Sequence, residues 1–325
     1  MRQLMISLDK NILNKDSIVA GRMIEYGGNN ELFIIIPNRG ELEKFDLSQT
    51  VHVQSTGGNK VLQFWRLISI GKELIKNNHI QAITTQDPFY IGLAGWCLKK
   101  KFKIQLEVQI HGDWFGGYYQ KQWLRLCLAK FILKQADVIR VVGERVKQGL
   151  LNLGVAENKI IVRAIQNDPE LIKNYPTEIN LRGKFPGYEK IFLVLGRLEP
   201  VKNIIWLLDV FKEVLKQKNY LLLIVGRGSE EANIRRYIAD NNLNNNIKLQ
   251  NWTEDPYGYL KSADCVLFPS LSEGYGLVAM EADIVGTPVI MNDVGVANYE
   301  LKPGPKVTIL PANDRAKWIQ AILKI

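Results

Sequence analysis

The chain has 325 residues, 46% of them hydrophobic and 23% charged, with 42 basic and 33 acidic side chains and a formal net charge of +9. This composition excludes wholesale disorder, and the length suffices for two domains with separate cores. Cys97, Cys127 and Cys265 lie far apart with no CxxC pair, and His52, His79 and His111 are scattered, which excludes a disulfide framework and argues against a metal cage.

Asp9 and Lys10 interrupt the first apolar run too early for a signal-peptide core, and no run reaches the ~18 apolar residues of a membrane span. A cytoplasmic location is expected. The charge is uneven: residues 1–170 hold 23 basic and 16 acidic side chains, net +7, and the remainder 19 and 17, net +2. Lys99, Lys100, Lys101 and Lys103 form one basic cluster; Lys121, Arg125, Lys130 and Lys134 form another on one predicted helix. Both suit a solvated face or an anionic membrane surface. No nucleic-acid motif accompanies them.

Short apolar runs alternate with amphipathic stretches of helical length, the pattern of βα units around parallel sheets. In chain order the strands are predicted near 3–8, 32–37, 51–54, 80–84, 103–110, 137–142 and 159–162. Helices are predicted over 17–26, 60–76, 89–100, 118–134 and 144–153, the first capped by Asp16 or Ser17 and stopped by Gly27. Asn167-Asp168-Pro169 is a turn signal, and the polar stretch to Tyr188 lacks periodicity, so the junction is placed between an N-terminal domain, 1–168, and a C-terminal domain, 169–325. There the alternation restarts, with strands near 190–195, 220–225, 247–250, 264–268, 288–291 and 306–310 and helices over 203–216, 230–241, 257–262, 277–285 and from 313 onward.

Ligands of open parallel sheets bind beyond the carboxyl ends of the strands, so the following loops carry the information. After Leu195, Gly196-Arg197-Leu198-Glu199-Pro200-Val201-Lys202 brings two cations to a helix start, an anion site in outline. Gly226-Arg227-Gly228-Ser229 offers close backbone approach, and Trp252 stands where it flanks a base or caps the core. Glu273 precedes Gly274-Tyr275-Gly276, the amides of Gly276, Leu277 and Val278 open a helix, and Glu281 follows one turn in. Two carboxylates beside an anion site need ligand hydroxyls as donors, which a nucleotide sugar supplies. In the first half His111-Gly112-Asp113 and Gln86-Asp87-Pro88 sit at strand ends.

Together these residues resemble the retaining glycosyltransferases of family 4, whose GT-B fold sets two Rossmann-like, doubly wound parallel-sheet domains across a cleft. The resemblance rests on Gly196, Arg197, Leu198 and Lys202, on the Glu-x7-Glu element Glu273 to Glu281, on His111-Gly112-Asp113, and on the stretch from Ala136 to Val146. It implies that Arg197 and Lys202 hold the donor diphosphate, Glu273 contacts the transferred sugar, Glu281 binds the ribose and His111 lies at the reacting face. It also implies no bound metal and no cofactor beyond the nucleotide-sugar substrate. The loop Asp9-Lys10-Asn11-Ile12 replaces a frequent Gly-Gly, so the acceptor side is expected to use Asp9, Lys10 and Asp113; Val294–Asn298 replaces another Gly-Gly loop near the donor. Many members continue with helices beyond one like 313–325, so a reduced interdomain clamp or a truncated chain is expected. The implied activity is hexose transfer to a glycan or lipid-linked acceptor, with peripheral membrane contact through the basic half. A nucleotide-sugar epimerase and a non-catalytic glycosyltransferase-like subunit are the competing readings.

Overall fold

The computed structural model describes residues 1–28, 30–113, 123–164 and 168–325. The chain forms two compact units: Met1–Val142 with Val146–Arg163, and Gly143–Arg145 with Ala164–Ile325.

In chain order the first half runs β1 (Arg2–Ile6), α1 (Ile18–Gly27), β2 (Glu31–Ile36), β3 (Lys44–Ser48), β4 (Val51–Ser55), α2 (Lys60–Asn78), β5 (Ala82–Thr85), α3 (Tyr90–Phe102), β6 (Gln105–Ile110), α4 (Trp123–Gln135), β7 (Val138–Val141), α5 (Glu144–Asn152) and β8 (Ile160–Val162). The sheet order is β3-β4-β2-β1-β5-β6-β7-β8. Seven strands are parallel, and β3 alone runs antiparallel, to β4. The sequence pattern misses β3 because this edge strand has no buried face: its residues alternate between exposed and half-buried. Ser17 caps α1 by accepting from the Ala20 amide at 3.0 Å. The helix runs through Gly27, expected as its stop, and is capped by Gly28, whose amide bonds the Ile24 carbonyl; at position 27 a Cβ would lie 2.3 Å from Val51 Cγ2, so only glycine fits there. Lys121 and the first turn predicted from Tyr118 lie outside the described residues.

The second half continues with α6 (Pro169–Lys173), α7 (Leu181–Lys184), β9 (Ile191–Leu195), α8 (Ile204–Val214), β10 (Leu221–Val225), α9 (Glu231–Asp240), β11 (Ile247–Gln250), α10 (Pro256–Ser262), β12 (Cys265–Phe268), α11 (Leu277–Ile284), β13 (Val289–Asn292), β14 (Val307–Leu310) and α12 (Arg315–Leu323). All six strands are parallel, in the order β11-β10-β9-β12-β13-β14. Two short helices, α6 and α7, occupy the stretch where no periodicity shows. Each spans little more than a turn and is set by a cap, Asp168 on the Glu170 and Leu171 amides and Asn180 on the Gly183 amide.

Every residue of β9 and β10 is buried, as expected of central parallel strands covered by helices on both faces. Their side chains join Leu207, Leu208 and Phe211 of α8 and Trp318 of α12 in one core, where the Phe192 and Phe211 rings meet edge to face at 5.6 Å.

Each sheet has one place where neighbouring strands lead their connections away in opposite directions. In the second unit it lies between β9 and β12, in the first between β1 and β5. Such switch points open a crevice at the carboxyl ends of the strands. Phe211 is fully buried in the core of the second unit, so Phe211→Ala is expected to cost about 3–5 kcal/mol, read as a lowered urea midpoint with an unchanged slope.

Candidate functional site

At the switch point of the second unit, the loop after β9 meets the loop after β12. Gly196, Arg197 and Lys202 line a narrow crevice with Phe268, Pro269 and Ser270. Leu198 is fully buried and anchors the first loop in the core, so its neighbour Arg197 is turned out to solvent. The Arg197 guanidinium makes no hydrogen bond among the described residues, while its carbonyl accepts the Glu199 amide at 3.1 Å and its charge is felt by the Glu199 carboxyl. Lys202 Nζ lies 2.5 Å from Glu273 Oε1 and 5.4 Å from the centre of the Phe268 ring. The sequence assigns Lys202 and Glu273 to different parts of a ligand; the fold pairs them directly.

The loop carrying Glu273 is held from below. Asn292, fully buried at the end of β13, donates from Nδ2 to the Pro269 carbonyl at 2.7 Å and to the Ser270 carbonyl at 3.1 Å, and accepts from Trp318 Nε1 at 3.1 Å. The Leu271 amide reaches the Val201 carbonyl at 2.8 Å, tying this loop to the Lys202 loop. Asn292 gives no signal in the sequence, since one Asn at a strand end reads as a turn.

Gly276 begins α11 at φ +103° with no side-chain cap. No side chain therefore caps the leading amides of this helix, among which the sequence pattern counts those of Gly276, Leu277 and Val278. Gly274 is half-buried beside Glu273. Tyr275 is buried, its carbonyl takes the Val296 amide at 2.7 Å, and burial, then the nearby Glu300 carboxylate, push its phenol above the usual range. Gly295 is required here, because a Cβ would fall 2.1 Å from the Tyr275 carbonyl.

Glu281 is half-buried one turn into α11, and burial raises its carboxyl above the ordinary range. Its ionised form is therefore costly in the folded protein.

Gly226 and Gly228 have a different reason to be glycine than ligand approach. A Cβ on Gly226 would lie 1.8 Å from the Gly196 carbonyl, and one on Gly228 would lie 2.3 Å from the Leu198 carbonyl. The loops after β9 and β10 are zipped together: Leu198 N donates to Arg227 O at 2.8 Å and Glu230 N to Leu198 O at 2.9 Å. Glu199 completes the zip, accepting from Ser229 Oγ at 2.7 Å and Ser229 N at 3.3 Å. The Ser229 hydroxyl holds the Glu199 carboxyl below its usual range. Arg227 is exposed beside this zip, and Trp252 is half exposed in the loop after β11.

In the first unit, Ser7 Oγ donates to Gln86 Oε1 at 2.6 Å across the switch point between β1 and β5. Asp9 Oδ1 accepts from the Asn11 amide at 3.0 Å as the cap of a short turn, which gives it a local structural duty; Lys10 is exposed. Asp87 is buried at the start of α3, accepts the Phe89 amide at 2.8 Å, and is raised by that burial. His111, at the end of β6, has an exposed surface, yet the protein around it and then Arg140 press its imidazole below the usual range. Its Nε2 lies 3.1 Å from Gln109 Oε1, and Asp113 is half-buried two residues on. Among the described residues no group of three His, Cys, Asp or Glu side chains is arranged to hold a metal ion.

Two outcomes are expected. Gly228→Ala forces the zipped loops apart and is expected to cost more than about 2 kcal/mol, measured by urea unfolding. Glu281→Gln is expected to raise the melting temperature at pH 7. A carboxyl raised by burial costs stability once pH passes the unfolded-state value near 4.5. The gain must therefore shrink as pH falls through that range, where both states are protonated.

Two family profiles match, "Glycosyl transferases group 1" over residues 177–325 and "Glycosyltransferase Family 4" over residues 28–163. Among curated relatives, an Escherichia coli UDP-Gal:alpha-D-GlcNAc-diphosphoundecaprenol alpha-1,3-galactosyltransferase is 25% identical over 195 residues, covering 54% of this chain and 50% of that protein. An alpha-monoglucosyldiacylglycerol synthase of Streptococcus pneumoniae is 26% identical over 241 residues, covering 70% and 55%. The chain spans about half the length of these relatives. A sucrose-phosphate synthase of Thermosynechococcus elongatus superposes with TM-score 0.80 at 20% identity, over 100% of this chain and 89% of that one. Anabaena HepE in complex with UDP and glucose superposes with TM-score 0.78 at 16% identity, over 100% and 89%. By its matched profiles and its fold, the chain belongs to the group 1, family 4 glycosyltransferases of the GT-B fold.

Proposed function

We propose that this chain transfers a hexose from a nucleoside-diphosphate sugar to a glycan or lipid-linked acceptor, with retained configuration and without a bound metal. The observation that carries the reading is the switch point of the second unit. There an exposed guanidinium and an ammonium already paired to a carboxylate line one crevice, and the loop that carries this carboxylate leads on to an uncapped helix start. This set suits a diphosphate attached to a polyol. The relatives support it in kind: one is named for UDP-galactose and a diphosphoundecaprenol-linked acceptor, another for a glycolipid, and one structural neighbour holds UDP and glucose.

In this reading the incoming diphosphate takes Arg197, Lys202 and the Leu277 and Val278 amides. Lys202 then turns from Glu273 to phosphate, and Glu273 is released to accept hydroxyls of the transferred sugar. The charge that develops on the leaving diphosphate is met by these groups, the role a divalent cation would otherwise fill. Glu281 accepts from the ribose, Trp252 lies beside the base, and Gly196, Gly274 and Gly276 allow close approach. Gly226 and Gly228 contribute by holding the loops together. His111 serves the reacting face, with Asp9, Lys10 and Asp113 on the acceptor side.

A thermal-shift panel of UDP, GDP and ADP and their sugars tests this directly, since a true ligand raises the melting temperature by mass action. Stabilisation by one nucleotide family is expected. Arg197→Ala and Lys202→Met are each expected to abolish most of that shift and to lower transfer by about 10²–10³-fold. If no nucleotide stabilises the intact protein, the reading fails.

The basic half is proposed to meet an anionic membrane surface. Helix α4 buries only Ala129, Ile132 and Leu133, and leaves Trp123, Leu124 and Phe131 exposed among Arg125, Lys130 and Lys134. No helix among the described residues is long and apolar enough to cross a membrane. Sedimentation with vesicles containing anionic lipid is expected to capture the protein at low salt and lose it at high salt. Equal binding to neutral vesicles would remove the electrostatic part of the proposal.

A further inference from the structure

A row of polar side chains runs through the interior of the first sheet and ends at His111. On β6 and just beyond it, Glu107, Gln109 and His111 occupy alternate positions and so share one face. Gln109 and Thr84, its neighbour on β5, are almost fully buried. Thr84 Oγ1 donates to Glu107 Oε1 at 2.9 Å. Gln109 Nε2 donates to Thr84 Oγ1 at 2.9 Å and to Glu107 Oε1 at 3.1 Å. Gln109 Oε1 lies 3.1 Å from His111 Nε2.

The donor and acceptor roles in this row follow from one end. Glu107 Oε1 accepts the Thr84 hydroxyl proton and one amide proton of Gln109. That turns the amide nitrogen of Gln109 toward Glu107 and Thr84 and its carbonyl toward His111. A carbonyl oxygen only accepts, so the His111 nitrogen facing it must carry a proton. In a neutral imidazole the other nitrogen then has a free lone pair.

We propose that Gln109 is a positioning residue for His111, selecting the Nε2–H tautomer and aiming the ring so that Nδ1 accepts a hydrogen bond from a hydroxyl of the reacting sugar. The proposal rests on the sugar-transfer reading of His111 given above. It accounts for two polar side chains buried in a sheet where apolar residues would pack at lower cost. Nothing in it requires Gln109 to touch substrate.

The chain has three histidines, so long-range proton–nitrogen NMR of the imidazoles can resolve His111, with His111→Asn assigning its signals. The wild-type protein at neutral pH is expected to show a protonated Nε2 and a bare Nδ1. Gln109→Leu is expected to give a mixture of tautomers, and to lower kcat about tenfold or more while donor KM stays within twofold. A wild-type His111 protonated at Nδ1, or a tautomer unchanged in Gln109→Leu, overturns the proposal. So does an unchanged kcat in that variant. The wild-type spectrum decides the tautomer even if Gln109→Leu fails to fold. A wild-type chain with the expected tautomer that transfers no sugar would sink the functional reading and leave the tautomer assignment standing.

Discussion

The ion pair between Lys202 and Glu273 ties together the two loops on which the candidate site depends. Both side chains are largely shielded from water, so neither charge could stand there alone without a large desolvation cost. Paired, they fix the loop after β9 against the loop after β12 at the point where the sheet changes its winding direction. In the proposed reading, a ligand carrying both a diphosphate for Lys202 and sugar hydroxyls for Glu273 replaces this internal pair on both sides at once, whereas a bare phosphate satisfies only one.

Around that pair the protein invests buried polar groups in support rather than in contact. Asn292 uses both amide protons and its carbonyl within the core to hold the backbone just before Glu273. Glu199 and Ser229 lock the loops after β9 and β10, leaving the guanidinium groups of Arg197 and Arg227 facing solvent. Glu281 works in the opposite sense: burial makes its charge expensive, which marks it as a group kept at some cost to stability. The first unit follows the same logic, with Thr84 and Gln109 buried behind His111 and Ser7 bonded to Gln86 across its own switch point.

Much of this was legible in the residues. The alternation of apolar runs and amphipathic stretches gave thirteen of the fourteen strands, because a parallel sheet buried on both faces writes itself as continuous Val, Ile and Leu. The exception, β3, is an edge strand none of whose residues is buried. Arg197, Lys202, Glu273 and the Gly276 helix start stood out because each lies in a loop that follows a strand, where open parallel sheets bind ligands. The row from Glu107 to His111 also had a signal, polar residues at every second position of an otherwise apolar strand, but periodicity alone does not say whether such a face meets solvent or a neighbour.

The sequence by itself determined the βα alternation and the loops that carry charge, because these depend on local pattern and on the position of each loop after its strand. Only the tertiary structure decided that Lys202 and Glu273 pair with each other, that Gly226 and Gly228 serve loop packing, that Tyr275 is buried, that Asn292 holds the loop before Glu273 and that Gln109 bonds His111. Those are contacts between segments tens of residues apart, set by strand order and packing, and no local pattern encodes which distant partner a side chain will meet.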